Sequence, residues 1–380
     1  IFLLGWQLLD LKPAEKARLA AEPPAGLASV NQQPVEEDRE NVQDAAGPGF
    51  GTAGPFDHTA YQVTGTPAPA VPQTGSETTV LSVPNTKNIL LLDSNALAQA
   101  VDWSVDSRFL YAGVKNIGLV TVNTNMLSLT RIENSLKNIT LITVDPAKTY
   151  VALADDEDRS IHLYSRQRQK MEKTLGPLHE QTPTAMVFSP NGKWLVSCAP
   201  DGLLLLWDVN KAEYVKTLYR DAVCSDITFT PSGLQLAAAF NDEGMVRLWD
   251  TATWKEMYSF PVDGVTDVAI NPGGTRLLTA TGDGFTDARV WNIYSGNLLM
   301  TLDDGSAVWA VAYSPNGRWL LTAGEGGRVS VWDPQTGALK YEFEADIQKI
   351  TMLEFNPSGT MLAAAGDAVR LWKMSDLDLP

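Results

Sequence analysis

The chain has 380 residues, 44% of them hydrophobic, and a net charge of −16 from 45 acidic and 29 basic side chains. That apolar fraction is ample for a large core, and the acidic surplus leaves no basic footprint of the kind that nucleic acid or bare anionic lipid requires. With two cysteines, three histidines and no Cys-Xaa-Xaa-Cys, neither a zinc ribbon nor covalent haem attachment is supported.

Residues 1–21 form the first of three segments. Ile1 is not an initiator methionine, so upstream residues are expected. Ile1-Phe2-Leu3-Leu4-Gly5-Trp6-Gln7-Leu8-Leu9 is strongly apolar yet far short of the ~20 residues of a membrane span. It reads as the end of a transmembrane helix, or as an amphipathic helix docking on a partner, since Ile1, Leu4, Leu8 and Leu11 recur at helical spacing. A signal-peptide remnant is the third reading, against which the lack of a basic leader argues. Phe2 and Trp6 add to the candidate partner-binding face. Pro13 suits the first turn of a second short helix, Pro13–Ala21.

Residues 22–86 lose all hydrophobic periodicity. They are rich in Pro, Gly, Ala, Thr and acids, as in Glu22-Pro23-Pro24 and Gly65-Thr66-Pro67-Ala68-Pro69. Such a stretch buries too little apolar surface to offset its ordering entropy, so it reads as a linker or an extended arm reaching ~45 Å as a coil. Residues 1–86 carry ten acids and four bases, so the remaining −10 of net charge belongs to residues 87–380.

From residue 87 to 380 the chain repeats itself. Turn prolines fall at Pro146, Pro190, Pro231, Pro272, Pro315 and Pro357, at intervals of 44, 41, 41, 43 and 42 residues. Trp103-Ser104-Val105-Asp106-Ser107 fits the same frame one period earlier, without the proline. Each mark is followed by a strand end at Val122-Asn123, Tyr164-Ser165, Trp207-Asp208, Trp249-Asp250, Trp291-Asn292, Trp332-Asp333 or Trp372-Lys373. A period near 40 with four short strands per unit predicts an all-β, seven-bladed propeller of four-stranded blades, preceded by the helical segment and arm.

These residues resemble the WD-repeat family of β-propellers over roughly residues 87–374. Three copies carry the Trp-Asp pair itself. The family often buries a histidine in a hydrogen-bonded network with the turn aspartate. Here no Gly-His pair precedes a first strand, so that network is not expected.

Inner strands alternate cleanly, with Val101 and Trp103, Met186 and Phe188, Ile227 and Phe229, and Leu353 and Phe355 among the equivalent pairs predicted to pack between blades. The last copy lacks a fourth strand, and the orphan Asn88-Ile89-Leu90-Leu91-Leu92 is expected to supply it and close the ring. Cys198 and Cys224 fall toward one rim on successive blades; a disulfide is conceivable, but two small buried apolar side chains are the expected reading.

No metalloprotease helix motif, nucleophile elbow or phosphate loop occurs, and no catalytic, cofactor or metal site is predicted. The acidic turns Asp155–Asp158 and Asp283 with Asp287 read as solvated turns rather than calcium sites. At the entrance to the inner strand the copies carry Gln99, Thr140, Thr184, Ser225, Thr266, Trp309 and Thr351. Trp309 breaks the small polar series, as a binding anchor or as filler between blades. The expectation is a non-enzymatic interaction scaffold that binds other protein subunits of a larger, membrane-associated assembly, extracytoplasmic or periplasmic, and is attached through its N-terminal segment. The alternatives are a soluble cytoplasmic adaptor, and an enzyme or small-ligand sensor whose channel uses Asp102, Asp226, Asp267 and Glu354.

Overall fold

The structure is a computed structural model that describes residues 89–92 and 98–377, apart from 127, 133–135, 177 and 283. The expected helices of residues 1–21 and the arm of 22–86 lie outside the described residues. No helix among the described residues is long and apolar enough to cross a membrane.

Seven four-stranded antiparallel sheets stand in a ring. Blade 3 is typical: β10 (Ala185–Phe188), β11 (Trp194–Cys198), β12 (Leu204–Asp208) and β13 (Glu213–Tyr219) follow one another from the axis outward. The second and third strands are covered on both faces by neighbouring blades. They are therefore continuously apolar, as in Leu204-Leu205-Leu206-Trp207, where every residue is buried. The outer strand β13 has one solvated edge and is exposed over its first half.

The paired inner-strand side chains fill the spaces between blades. Ile227 and Phe229 pack with Val196, Leu204 and Leu206 of the preceding blade. Val101 and Trp103 pack with Met361, Val369 and Leu371 across the ring junction. The turn signature is also an inter-blade contact. Gly233, Gly274, Gly317 and Gly359 adopt left-handed φ of 66–71°, and each lies against the turn proline of the blade before it: Pro190, Pro231, Pro272 and Pro315. A side chain there would meet both a strained backbone and a proline ring. Where blades 1 and 2 lack the glycine, Ser107 and Lys148 take the same left-handed conformation.

The ring closes as the sequence predicts. Strand β1 (Ile89–Leu92) pairs antiparallel with β28 (Val369–Lys373), with Ile89 opposite Leu371 and Leu90 opposite Arg370. That sheet runs β1-β28-β27-β26, where β26 is Ile350–Phe355 and β27 is Met361–Gly366. The Trp103 indole donates to the Glu354 carbonyl at 3.3 Å across the same junction.

Cys198, at the end of β11, and Cys224, which opens β14 (Cys224–Phe229), form a disulfide with a Cα–Cα distance of 5.9 Å. This corrects the expectation of two unlinked thiols. Both sulfurs are buried, and adjacent blades bring the Cα atoms within the usual disulfide range. The bond fastens blade 3 to blade 4.

Candidate functional site

The inner strands enclose a central lumen of 570 Å³. Asp102, Asp226, Asp267 and Glu354 are among the side chains that line it. Asp102 on β2 (Ala98–Trp103) and Glu354 on β26 share one register. Asp226 on β14 and Asp267 on β18 (Asp267–Ile270) share another, two residues nearer the strand start. The four carboxyls form two pairs, each joined by a hydrogen bond: Asp102 with Glu354, and Asp226 with Asp267.

Three of these carboxylates also bridge to the next blade. Asp102 Oδ2 accepts from the Val144 N–H at 2.6 Å, Asp226 Oδ2 from Val268 at 3.0 Å and Asp267 Oδ2 from Val311 at 2.8 Å. Hydroxyls repeat the device nearer the entrance. Thr184 donates to the Cys224 carbonyl at 3.0 Å and Ser225 to the Val265 carbonyl at 2.9 Å. Two members of the small polar series, Thr184 and Ser225, thus tie neighbouring blades together, whereas Thr140 bonds within its own blade to the Ala154 carbonyl at 3.5 Å.

Burial raises all four carboxyls above the ordinary range. Desolvation pushes Asp102 up to about 6. It drives Glu354 and Asp226 well above the usual value, helped by the negative charge of Asp102 and of Asp267 respectively, and it raises Asp267 as well. A group whose folded pKa exceeds its unfolded value contributes stability below the unfolded pKa, and that contribution is lost as pH rises through the folded one. The ring should therefore melt several degrees higher near pH 5 than near pH 8, at roughly 2–4 °C per kcal/mol, with lumen water screening part of the effect. Asp226→Asn with Glu354→Gln keeps a hydrogen-bond donor in each pair but removes the two carboxyls raised furthest, leaving only Asp102 and Asp267 to titrate. The double variant should show a visibly flatter melting profile than the parent, measured by circular dichroism across this range. Equal pH slopes for parent and variant would sink this account.

Trp309 lies on β22 (Val308–Tyr313), partly buried, and does not line the lumen. The Lys349 ammonium, just before the inner strand of blade 7, sits 3.3 Å from the centre of its ring, so this tryptophan occupies the seam between blades 6 and 7. Ile1, Phe2, Leu4, Trp6, Leu8 and Leu11 lie outside the described residues. In the acidic turn, Asp155 accepts from the Glu157 and Asn138 N–H groups, Asp156 from the Thr182 hydroxyl and Asp158 from the Ser160 N–H. No group of three metal-ligating side chains occurs among the described residues; Asp283 lies outside them.

The sequence reading missed a buried network in blade 3. The Trp207 indole donates to Ser197 Oγ at 2.8 Å. Ser197 Oγ also meets His179 Nε2 at 2.8 Å, and His179 Nδ1 lies 3.0 Å from Asp201. Desolvation lowers the His179 pKa, against the opposing pull of Asp201, which favours a neutral ring. This corrects the expectation that no histidine network forms: His179 is preceded by Leu178, not glycine, yet it reaches the position. Asp304 stands at the same distance before Pro315 as His179 does before Pro190. There Trp332 donates to Thr322 Oγ1 at 2.9 Å, and Thr322 to Asp304 at 3.0 Å. Blades 4 and 7 place Ala238 and Ala364 where Ser197 stands, and the Trp372 indole N–H is enclosed without a partner among the described residues.

The ring, its closing strand and these tryptophan networks define a seven-bladed β-propeller, two of whose repeats carry the WD40 signature. Residues 171–208 and 296–333 match the family model described as WD domain, G-beta repeat. Each match runs from the outer strand of one blade through the third strand of the next, and each contains one of the two extended tryptophan networks. The chain is similar to cell division cycle 20.1, cofactor of APC complex, of Arabidopsis thaliana, at 25% identity over 72% of this chain and 63% of that protein. It is 28% identical to periodic tryptophan protein 2 of the same plant, over 56% of this chain and 23% of the relative. It is 23% identical to apoptotic protease-activating factor 1 of Rattus norvegicus, over 61% and 19% respectively. The chain thus spans less than two thirds of each of these relatives.

Proposed function

We propose that this protein is a non-enzymatic scaffold whose ring presents a rigid surface to other protein subunits, attached to a larger, membrane-associated assembly through residues 1–21, with residues 22–86 as tether. The observation that carries the reading is how the lumen carboxyls are engaged. All four are bonded in two pairs, and three of them also to a backbone N–H of a neighbouring blade, so their polarity serves the stiffness of the disc. Rigid, repetitive rings suit binding, and the fold by itself fixes no chemistry. A relative whose own name describes it as a cofactor of a complex agrees with such a role.

An extracytoplasmic location is favoured by the disulfide, since such bonds persist in oxidising compartments. The test is deletion of residues 1–86. The shortened chain should fold with an unchanged β-sheet spectrum, yet fail to co-purify with the subunits that the full chain brings down from detergent-solubilised membranes. Full retention of those subunits would assign attachment to the ring instead.

A further inference from the structure

A second concavity lies away from the axis, between blades 1 and 2, with a volume of 760 Å³. It opens because β5 (Ser128–Arg131), the outer strand of blade 1, has four residues, whereas β13 and β17 (Lys255–Pro261) have seven. Arg131, Lys148 and Arg166 line it beside Tyr111, Tyr164 and Phe109, and no acidic side chain lines it among the described residues. In a chain of net charge −16 that is a local reversal of sign.

Arg166 is the most telling of the three. Its Nε donates to the Tyr111 hydroxyl at 3.1 Å, and its guanidinium lies 5.9 Å from the centre of the Tyr111 ring. These contacts hold the group in place. Its Nη1 is enclosed and has no acceptor among the described residues. The guanidinium also lines the groove, where an incoming carboxylate would meet its positive charge in a charge-assisted hydrogen bond. Asp106 feels the Arg166 charge but is already engaged by the Ser104 hydroxyl at 2.6 Å and the Arg108 N–H at 3.2 Å.

We propose that this groove binds an acidic, extended segment of a partner protein, with carboxylates on Arg131, Lys148 and Arg166 and side chains against the tyrosine faces. The volume falls within the ~300–1,000 Å³ of typical ligand clefts. The overall acidity of the chain decides between polyanions. A long, dense one, such as nucleic acid or a lipid surface, meets repulsion beyond the groove, whereas a short acidic segment meets only the local cations. The proposal deepens the scaffold reading by naming one partner's chemistry. Its failure would leave the co-purification result of the N-terminal deletion untouched.

The test is fluorescence anisotropy on the full chain with a labelled decapeptide of alternating Glu and Tyr. The peptide should bind at low salt, weaken as salt rises, and lose about tenfold or more in affinity in Arg131→Glu/Lys148→Glu. Both of these side chains are exposed, so the double variant should keep its fold, which the melting curve checks. Lys255→Glu, on the exposed rim of blade 4, should bind as the parent does. Arg166→Gln should also weaken binding, and a Lys-Tyr decapeptide should not bind. Absence of binding by the parent, equal affinity in the double variant, or an equal loss in Lys255→Glu would overturn the proposal. So would capture of an oligouridine or of phosphatidylserine vesicles through Arg131 and Lys148 in place of the peptide.

Discussion

A chain beginning at residue 93 is expected to melt far below one beginning at residue 87, or to aggregate on expression. The two differ by β1 and two residues before it. Strand β1 is the only partner of the outer edge of β28 in the described sheet. Its four residues supply main-chain hydrogen bonds at about 1 kcal/mol each. Their loss also opens the ring, so the effect spreads beyond one sheet. Val369, Leu371 and Trp372 on β28 are fully buried in the closed state. With β1 gone, this apolar strand becomes a free edge of the kind that pairs with other chains. The measurement is a pair of melting curves with size-exclusion profiles for the two truncations. A drop of 10 °C or more corresponds to roughly 3–5 kcal/mol in a ring of this size. Coincident melts would mean that the closing strand contributes nothing to the ring.

What could be read ahead of the structure came from repetition. The turn prolines mark a physical contact, four of the six lying against the turn glycine of the next blade, so their regular spacing reports the pitch of the ring directly. The orphan strand near Leu90 was legible because a missing fourth strand in the last copy demands one elsewhere. The lumen pairs were only half legible. Period-two alternation places Asp102 and Glu354 on inner strands, but their hydrogen bond joins the first and last blades and exists only once the ring closes. The His179 network escaped because it was sought as a Gly-His pair, whereas its position is set by distance from the turn proline. Asp304, at that same distance before Pro315, is the signal that could have found it. The basic groove had no sequence signature. It depends on the shortness of β5 and on which blade faces which.

Removing the disulfide by Cys198→Ala/Cys224→Ala is expected to cost about 3 kcal/mol. The cross-link closes a loop across 26 residues. The chain-entropy account gives ~3.5 kcal/mol for that length, with measured bridges usually at 2–4. Both sulfurs are buried between blades 3 and 4, among Leu204, Leu206 and Phe240, so the alanines also leave a small void, which adds to the loss. The two blades remain joined by the Thr184 hydroxyl bond to the Cys224 carbonyl and by the Pro190–Gly233 contact. The variant should therefore fold into the same ring and melt roughly 5–10 °C lower. Reductant should destabilise the parent by a similar amount and leave the variant unaffected. Thiol titration of the unfolded parent supplies the independent check: none should react before reduction and two after it. Two reactive thiols in the unreduced, unfolded chain would remove both the bond and the support it gives to an oxidising compartment.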